Sequence, residues 1–311
     1  ITAATRDLAG SGFLYEPLGA KELKGKAERI ETFRVTGRSS DIIERWDRQS
    51  LRLRSDFVGR EAELACIGEA LERVAERGEV TVDVVGPAGI GKSRFVHEAL
   101  ARFRAQTVVL RGGCQELEAE PYALWTDLVR RRCPDLDAVE APGLRRLLGL
   151  VRTTPDDPED ARIEIQMDLL ALLQTAGEEA DQRALVLHLD DLHWVDDGSV
   201  RVGQAVLGAF QPPGGTLRLL VRRPEGALPT TWALTDITSV ELQPWDRSEV
   251  ERAIAQMCGA PMPPSFVDMT FARCAGNPFF LEELMSLLVD DGALRVVDGV
   301  WRLVGKVEDL E

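Results

Sequence analysis

No stretch of the sequence approaches the 18 or so uninterrupted apolar residues of a membrane-spanning helix, and its first residues do not join a basic stretch to an apolar one. The expectation is a cytoplasmic protein without a membrane partner. Paired cysteines are also missing: Cys66, Cys114, Cys133, Cys258 and Cys274 are five in number, widely spread, and nowhere form the C-x-x-C pair that suits zinc or redox chemistry. A reducing compartment fits them. Positive charge is scarce, with 37 Lys and Arg against 52 Asp and Glu for a formal net charge of −15. Broad contact with nucleic-acid phosphates needs clustered cations that displace condensed counterions, so nucleic acid is not an expected partner of this region. Internal repeats and low-complexity tracts are absent. The chain opens on Ile1 rather than methionine, which suggests a piece of a longer protein.

What is present is ordinary globular material. The 311 residues exceed one typical domain of roughly 100 to 200, and 44% hydrophobic with 29% charged residues can bury a sizeable core. From Glu79 onward short β-branched runs alternate with longer helical patterns: Val80 to Val85, Thr107 to Leu110, Ala184 to Leu189, Leu217 to Val221 and Ser239 to Leu242. Near-continuous apolar strands separated by helices imply a parallel sheet covered on both faces, hence an α/β fold. After Pro244 the pattern turns mainly helical, with Ser248 to Met257, Pro264 to Arg273 and Pro278 to Asp290 each opening on a cap residue or a proline. Asp298-Gly299 before Trp301 reads as a hairpin turn.

Gly86-Pro87-Ala88-Gly89-Ile90-Gly91-Lys92-Ser93 matches G-x-x-x-x-G-K-[ST], directly after the strand Val80 to Val85 and before the helical run Arg94 to Phe103. This is the context a P-loop requires. Glycines let backbone N–H groups converge on phosphates without a Cβ in the way, and the helix N-terminus adds partial positive charge. ATP with Mg²⁺ is the expected ligand. Lys92 is expected to reach the β- and γ-phosphates and Ser93 the metal, with Arg94 continuing the cradle. About a hundred residues on, the apolar strand Ala184 to Leu189 ends in Asp190 and Asp191, the form of a Walker B strand. Asp190 at the strand end is placed to hold Mg²⁺, and Asp191 to polarise the attacking water.

Two resemblances extend this reading. Leu192-His193-Trp194-Val195-Asp196-Asp197 completes a D-D-x-H-W-x-D run that resembles the signature of STAND-type signalling ATPases, the AAA-like branch that acts as switches. Phe57-Val58-Gly59-Arg60-Glu61 resembles the opening of those domains, Pro121-Tyr122 a helix start, Arg223-Pro224-Glu225 the segment after their fourth strand, and Gly276-Asn277-Pro278 their lid motif. The resemblance implies that Val58 and Arg60 lie near the nucleotide, that Pro278 packs by the adenine, and that Arg223 senses the γ-phosphate. The segment Val221-Arg222-Arg223-Pro224 departs from the usual T-x-R-P by losing its hydroxyl residue. Tyr122 and Trp125 read as core aromatics.

Near the start, strands at Leu14 to Leu18 and Ile30 to Val35 flank a turn rich in glycine and lysine. With Thr2 to Thr5, Tyr15 to Gly19, Leu23 to Gly25 and Phe33 to Val35 in that order, the segment is similar to the last two strands of class III adenylate/guanylate cyclase domains. That similarity would put Lys24 or Lys26 near a substrate triphosphate. The family's metal-binding aspartates lie upstream of such a tail, so this chain alone is not expected to cyclise anything.

The expected organisation is a cyclase-like tail over 1–38, a linker over 39–55 with one weakly amphipathic helix, and a P-loop ATPase core over 56–243. A helical lid over 244–291 and a hairpin or the start of a winged-helix segment over 292–311 complete it. The expected function is a slowly hydrolysing nucleotide switch that answers to ATP or ADP, fused to a cyclase upstream and to a sensor or repeat domain downstream. Two other readings stay open. One is a ring-forming AAA+ motor, whose arginine finger Arg130-Arg131-Arg132 could supply; the other is a scaffold that holds ATP without hydrolysing it.

Overall fold

The computed structural model of the chain describes residues 2, 13–21, 30–38, 56–116, 121–151, 158–297, 299–304 and 307. They fall into two compact units. One comprises Phe57–Val250 with Thr270–Leu281, the other Ile1–Asp56, Glu251–Met269 and Glu282–Glu311.

The larger unit is built on five strands, β3 (Glu79–Val85), β4 (Thr107–Gly113), β5 (Ala184–Asp190), β6 (Thr216–Arg222) and β7 (Ile237–Glu241), all parallel in the order β4-β5-β6-β3-β7. Alternation along each strand divides the core into two. Val186, Leu217, Leu219 and Val221 join Val80, Val82 and Val84 on one face. There they meet Leu64, Ile67 and Val74 of α1 (Glu61–Arg77) and Phe95, Val96 and Leu100 of α2 (Lys92–Arg102).

Leu185, Leu187, Leu189 and Leu220 point the other way. They pack on Trp125 and Leu128 of α3 (Ala123–Arg132), on Leu144 and Leu147 of α4 (Pro142–Leu147), and on Leu169 and Leu173 of α5 (Pro158–Ala180). Val202, Val206 and Phe210, on and just after α6 (Asp197–Ala209), close that core. The result is an α/β fold with a parallel sheet covered by helices on both faces, as the apolar strand runs require.

The strands extend beyond the sequence-based limits mainly at their C-terminal ends. β4 continues through Gly112 and Gly113, which pair with Leu189 and Asp190. Glycine weakens strand signals in sequence, but a Cβ on Gly112 would lie 2.7 Å from the Leu124 carbonyl, so glycine lets α3 approach the sheet. α1 stops where Gly78 takes φ +78° and returns its N–H to the Val74 carbonyl.

In the other unit, β1 (Phe13–Lys21) and β2 (Ile30–Arg38) form an antiparallel pair with Tyr15 opposite Val35 and Lys21 opposite Ile30. The turn that carries Lys24 and Lys26, and the expected connector helix over 39–55, lie outside the described residues. Three helices follow the sheet in sequence: α7 (Arg247–Cys258), α8 (Pro264–Cys274) and α9 (Pro278–Asp290). A final hairpin pairs β8 (Leu294–Val297) with β9 (Val300–Leu303), and Gly299 in its turn has φ +79°. Among the described residues no helix is long and apolar enough to cross a membrane.

Candidate functional site

The loop Gly86–Gly91 joins β3, an interior strand between β6 and β7, to α2, at the C-terminal edge of the sheet. Gly86 donates its N–H to the Arg222 carbonyl at 3.3 Å, and Ile90, 2% exposed, anchors the loop from below. Gly89 and Gly91 take φ +75° and +92°, a region that side chains with a Cβ rarely occupy. A Cβ on Gly91 would meet nothing within 4 Å, so the space beside it is open. Pro87, Ala88, Gly89, Ser93 and Arg94 are exposed around that space.

Lys92 is 9% exposed and donates from Nζ to the carbonyls of Gly86 at 2.8 Å and Pro87 at 3.0 Å. Burial, aided by Arg223, lowers its pKa from the ordinary lysine value, while Asp191, Asp190 and Glu225 pull the other way. An ammonium folded back on its own loop, among carboxylates, is a cation ready to exchange two carbonyl contacts for anionic oxygens.

The acids stand at the end of β5, two strands from β3 in the sheet. Burial first, and then the neighbouring charge of Asp191, pushes the Asp190 carboxyl up to about 6. Asp191 has φ +53° and donates its N–H to Asp190 Oδ1 at 2.9 Å, a left-handed turn that Asp tolerates well. A half-buried acid raised in this way is a carboxyl short of a cation, and the exposed Ser93 hydroxyl on α2 is an oxygen donor of the same hard character. Oxygen donors of this kind fit Mg²⁺, which takes one or two protein ligands and completes its shell with phosphates and water. Among the described residues no group of three or more His, Cys, Asp or Glu could hold a metal by itself.

Beyond the acids, Leu192–Trp194 forms a single 3-10 turn. His193 Nδ1 lies 3.8 Å from Asp191 Oδ1, too far for a hydrogen bond, and neither ring nitrogen has a partner. Burial lowers its pKa from the ordinary histidine value, and the ring packs on the loop at Gly226, where a Cβ would come within 2.7 Å of His193 Cβ. Trp194 carries Arg223, whose guanidinium carbon is 5.7 Å from the ring centre.

Of the two arginines that end β6, only Arg223 faces this group. Arg222 is tied to the buried carboxylate of Asp83, with Nη2 2.8 Å from Oδ2 and Nε 3.1 Å from both oxygens, and also donates to the Gly226 carbonyl. The structure therefore brings Asp191, Arg223 and Asp190 close enough to Lys92 to act on its charge.

Val58 is 4% exposed. Arg60, 8% exposed, donates to the Gln243 carbonyl and pairs with Glu63 at 3.1 Å, contacts that fix the turn into α1. Pro278 opens α9, where a missing N–H costs nothing. Its neighbour Asn277 reaches the loop itself, donating from Nδ2 to the Ala88 carbonyl at 3.1 Å.

Asp196, the last acid of the D-D-x-H-W-x-D motif, has a different task. It accepts from the backbone N–H groups of Tyr122 and Ala123 at the start of α3, and from Ser199 N and Oγ in the first turn of α6. Its bonds to Tyr122 and Ala123 span 74 and 73 residues of sequence, a distance that no local spacing encodes. Arg131 and Arg132 are paired locally with Asp127 and Glu179 at 2.8 and 2.6 Å. A cavity of about 580 Å³ lined by Pro121, Tyr122, Arg162, Asp196 and Arg201 includes none of the loop residues and neither Asp190 nor Asp191.

A glycine loop between an interior parallel strand and a helix, with a buried lysine below it and paired acids at a nearby strand end, defines a P-loop nucleotide-binding domain. The AAA ATPase domain family model matches residues 56–221, just over half of the chain. The chain belongs to that family. A curated protein of Rhizobium meliloti (strain 1021), described as Uncharacterized protein R02095, is 28% identical over 316 residues, which cover 91% of this chain and 30% of that protein. The chain thus spans under a third of that relative. Two solved structures of Thermotoga maritima RuvB variants are similar at 20% and 18% identity, with TM-scores of 0.45 and 0.44, each covering 78% of this chain and 66% of its own.

Proposed function

We propose that the chain is an ATP-binding, slowly hydrolysing switch module of a larger signalling protein in the cytoplasm. The observation that carries this reading is Lys92 held under an open glycine loop, in the field of the Asp190–Asp191 pair. In the segment Gly86–Arg94, the N–H groups from Ala88 onward would cradle the phosphates, and Lys92 would release the Gly86 and Pro87 carbonyls to meet the β- and γ-oxygens. Ser93 and Asp190 would hold Mg²⁺, which supplies charge neutralisation at the phosphates when bound. Asp191 would orient and polarise the attacking water, and Arg223, steadied by Trp194, would meet charge at the γ-phosphate. Val58, Arg60 and Pro278 would border the base.

The regulatory part of the reading is supported by motif order: a cyclase-like tail, Phe57 to Glu61, the P-loop, the acid run and Gly276-Asn277-Pro278 in one chain. On this reading residues 1–38 belong to a fused cyclase domain, residues 244–291 act as a lid, residues 292–311 begin a winged-helix segment, and a sensor or repeat domain follows. A nucleotide shifts such a switch only if it binds its two conformations unequally. Hydrogen exchange over residues 244–291 with no nucleotide, with Mg-ADP and with Mg-ATP tests this. Distinct protection with the two nucleotides supports the switch; the same pattern in all three states, at saturating ligand, removes it.

A further inference from the structure

We propose that Asn277 is a positioning residue of the phosphate cradle, turning the Gly89 amide at the loop tip toward a nucleoside di- or triphosphate; the proposal rests on the nucleotide-binding reading above. Two hydrogen bonds carry it. Asn277 Nδ2 donates to the Ala88 carbonyl at 3.1 Å, and the Phe279 N–H donates to the Gly89 carbonyl at 3.2 Å. In a planar trans peptide the C=O and the following N–H point in opposite directions. Holding the Ala88 carbonyl toward Asn277 therefore turns the Gly89 N–H the other way, while the Ile90 N–H stays within the loop, donating to the Pro87 carbonyl at 3.4 Å.

Packing agrees with this direction. A Cβ on Gly89 would stand 2.8 Å from Phe279 Cβ and 2.9 Å from Asn277 Oδ1, so the Asn277–Phe279 segment fills that side of the loop. Beside Gly91, by contrast, a Cβ would meet nothing within 4 Å. One flank of the loop is closed and the other is open for a ligand.

The side chain is also better equipped than its local duty demands. Asn277 caps α9 by accepting the Phe279 N–H on Oδ1 at 3.0 Å, which Asp, Ser or Thr would do equally well. Only a carboxamide of this length combines that acceptor with a donor for Ala88, and the two partners fix which end of the amide is nitrogen. The loop tip is thereby coupled to a segment 189 residues away in sequence.

The two duties can be separated in the full 311-residue chain. Asn277→Ser keeps a capping acceptor and loses the donor to Ala88, while Asn277→Ala loses both. Binding of Mg-ATP and Mg-ADP is measured by calorimetry, adenosine by competition, and thermal unfolding without ligand. Both variants are expected to bind Mg-ATP and Mg-ADP about three- to tenfold more weakly, the scale of one hydrogen bond, with adenosine within about twofold. Only Asn277→Ala should unfold at lower temperature. Wild-type phosphate affinity in Asn277→Ser, or an equal loss for adenosine, would overturn the proposal. A wild-type chain that binds neither nucleotide would overturn the underlying reading instead.

Discussion

Asp196→Ala tests how the acid run builds the site's frame. The carboxylate receives Tyr122 N at 2.9 Å, Ala123 N at 3.2 Å, Ser199 N at 2.8 Å and Ser199 Oγ at 2.6 Å. It thus caps α6 and, 74 residues away in sequence, serves the first N–H groups of α3. Losing an Asp cap costs about 1 kcal/mol per helix, and an ionised acceptor strengthens each bond, so the loss should total about 2–3 kcal/mol. For a chain of this size that lowers the melting temperature by roughly 3–5 °C. Asp196→Asn keeps one accepting oxygen and should lose about half as much. Differential scanning calorimetry and urea unfolding give the numbers, and Mg-ATP affinity measured well below the transition should stay within about twofold of wild type. If Asp196→Ala unfolded within about 0.5 kcal/mol of wild type, the double cap would carry no energy and the argument would fail.

Three further outcomes follow from the packing. Arg222→Met strands the Asp83 carboxylate, whose side chain is 5% exposed, and should cost about 3–5 kcal/mol in urea unfolding; adding Asp83→Leu should recover most of it. Failure of the double variant to recover would locate the loss in packing rather than charge. Gly276→Ala places a Cβ 2.1 Å from the Trp245 carbonyl at φ +73°, so it should destabilise by more than about 2 kcal/mol, and a neutral result would contradict that close approach. Burial pushes the Cys114 thiol up to about 12 and the Cys258 thiol up to about 11, both above the ordinary value. At pH 8 about one Cys258 thiol in a thousand is ionised, so iodoacetamide should label the half-buried Cys66 and Cys133 first, with Cys114 and Cys258 reacting only on unfolding. Mass spectrometry of the native protein reads this directly.

The central strands were legible because parallel strands buried on both faces carry continuous apolar runs, as β3, β5 and β6 do. The end of β4 was not. Gly112 and Gly113 carry no strand signal, and the approach of α3 explains the first of them. In the site, the loop pattern located Lys92 and the strand end located Asp190, because each motif is contiguous. The acid run also pointed to Asp196, yet its service to α3 is a long-range contact that no local spacing encodes.

Arg222 and Arg223 are adjacent and chemically identical, so sequence could not show that Arg222 would be taken up by Asp83 on the neighbouring strand. Asn277 escapes a sequence reading for a related reason. An asparagine before a proline at a helix start already has a complete local explanation, and its donor bond to Ala88 becomes visible only in three dimensions.

The central claim is that Lys92 and the acid pair form one Mg-ATP site that turns over slowly. Its most direct test is Mg-ATP binding and steady-state hydrolysis by the wild-type chain beside Lys92→Ala and Asp191→Asn, with and without EDTA. The account predicts slow wild-type turnover that EDTA abolishes, lost binding in Lys92→Ala, and binding without turnover in Asp191→Asn. A wild-type chain that binds no Mg-ATP, or a Lys92→Ala chain that binds it as well as wild type, would contradict it.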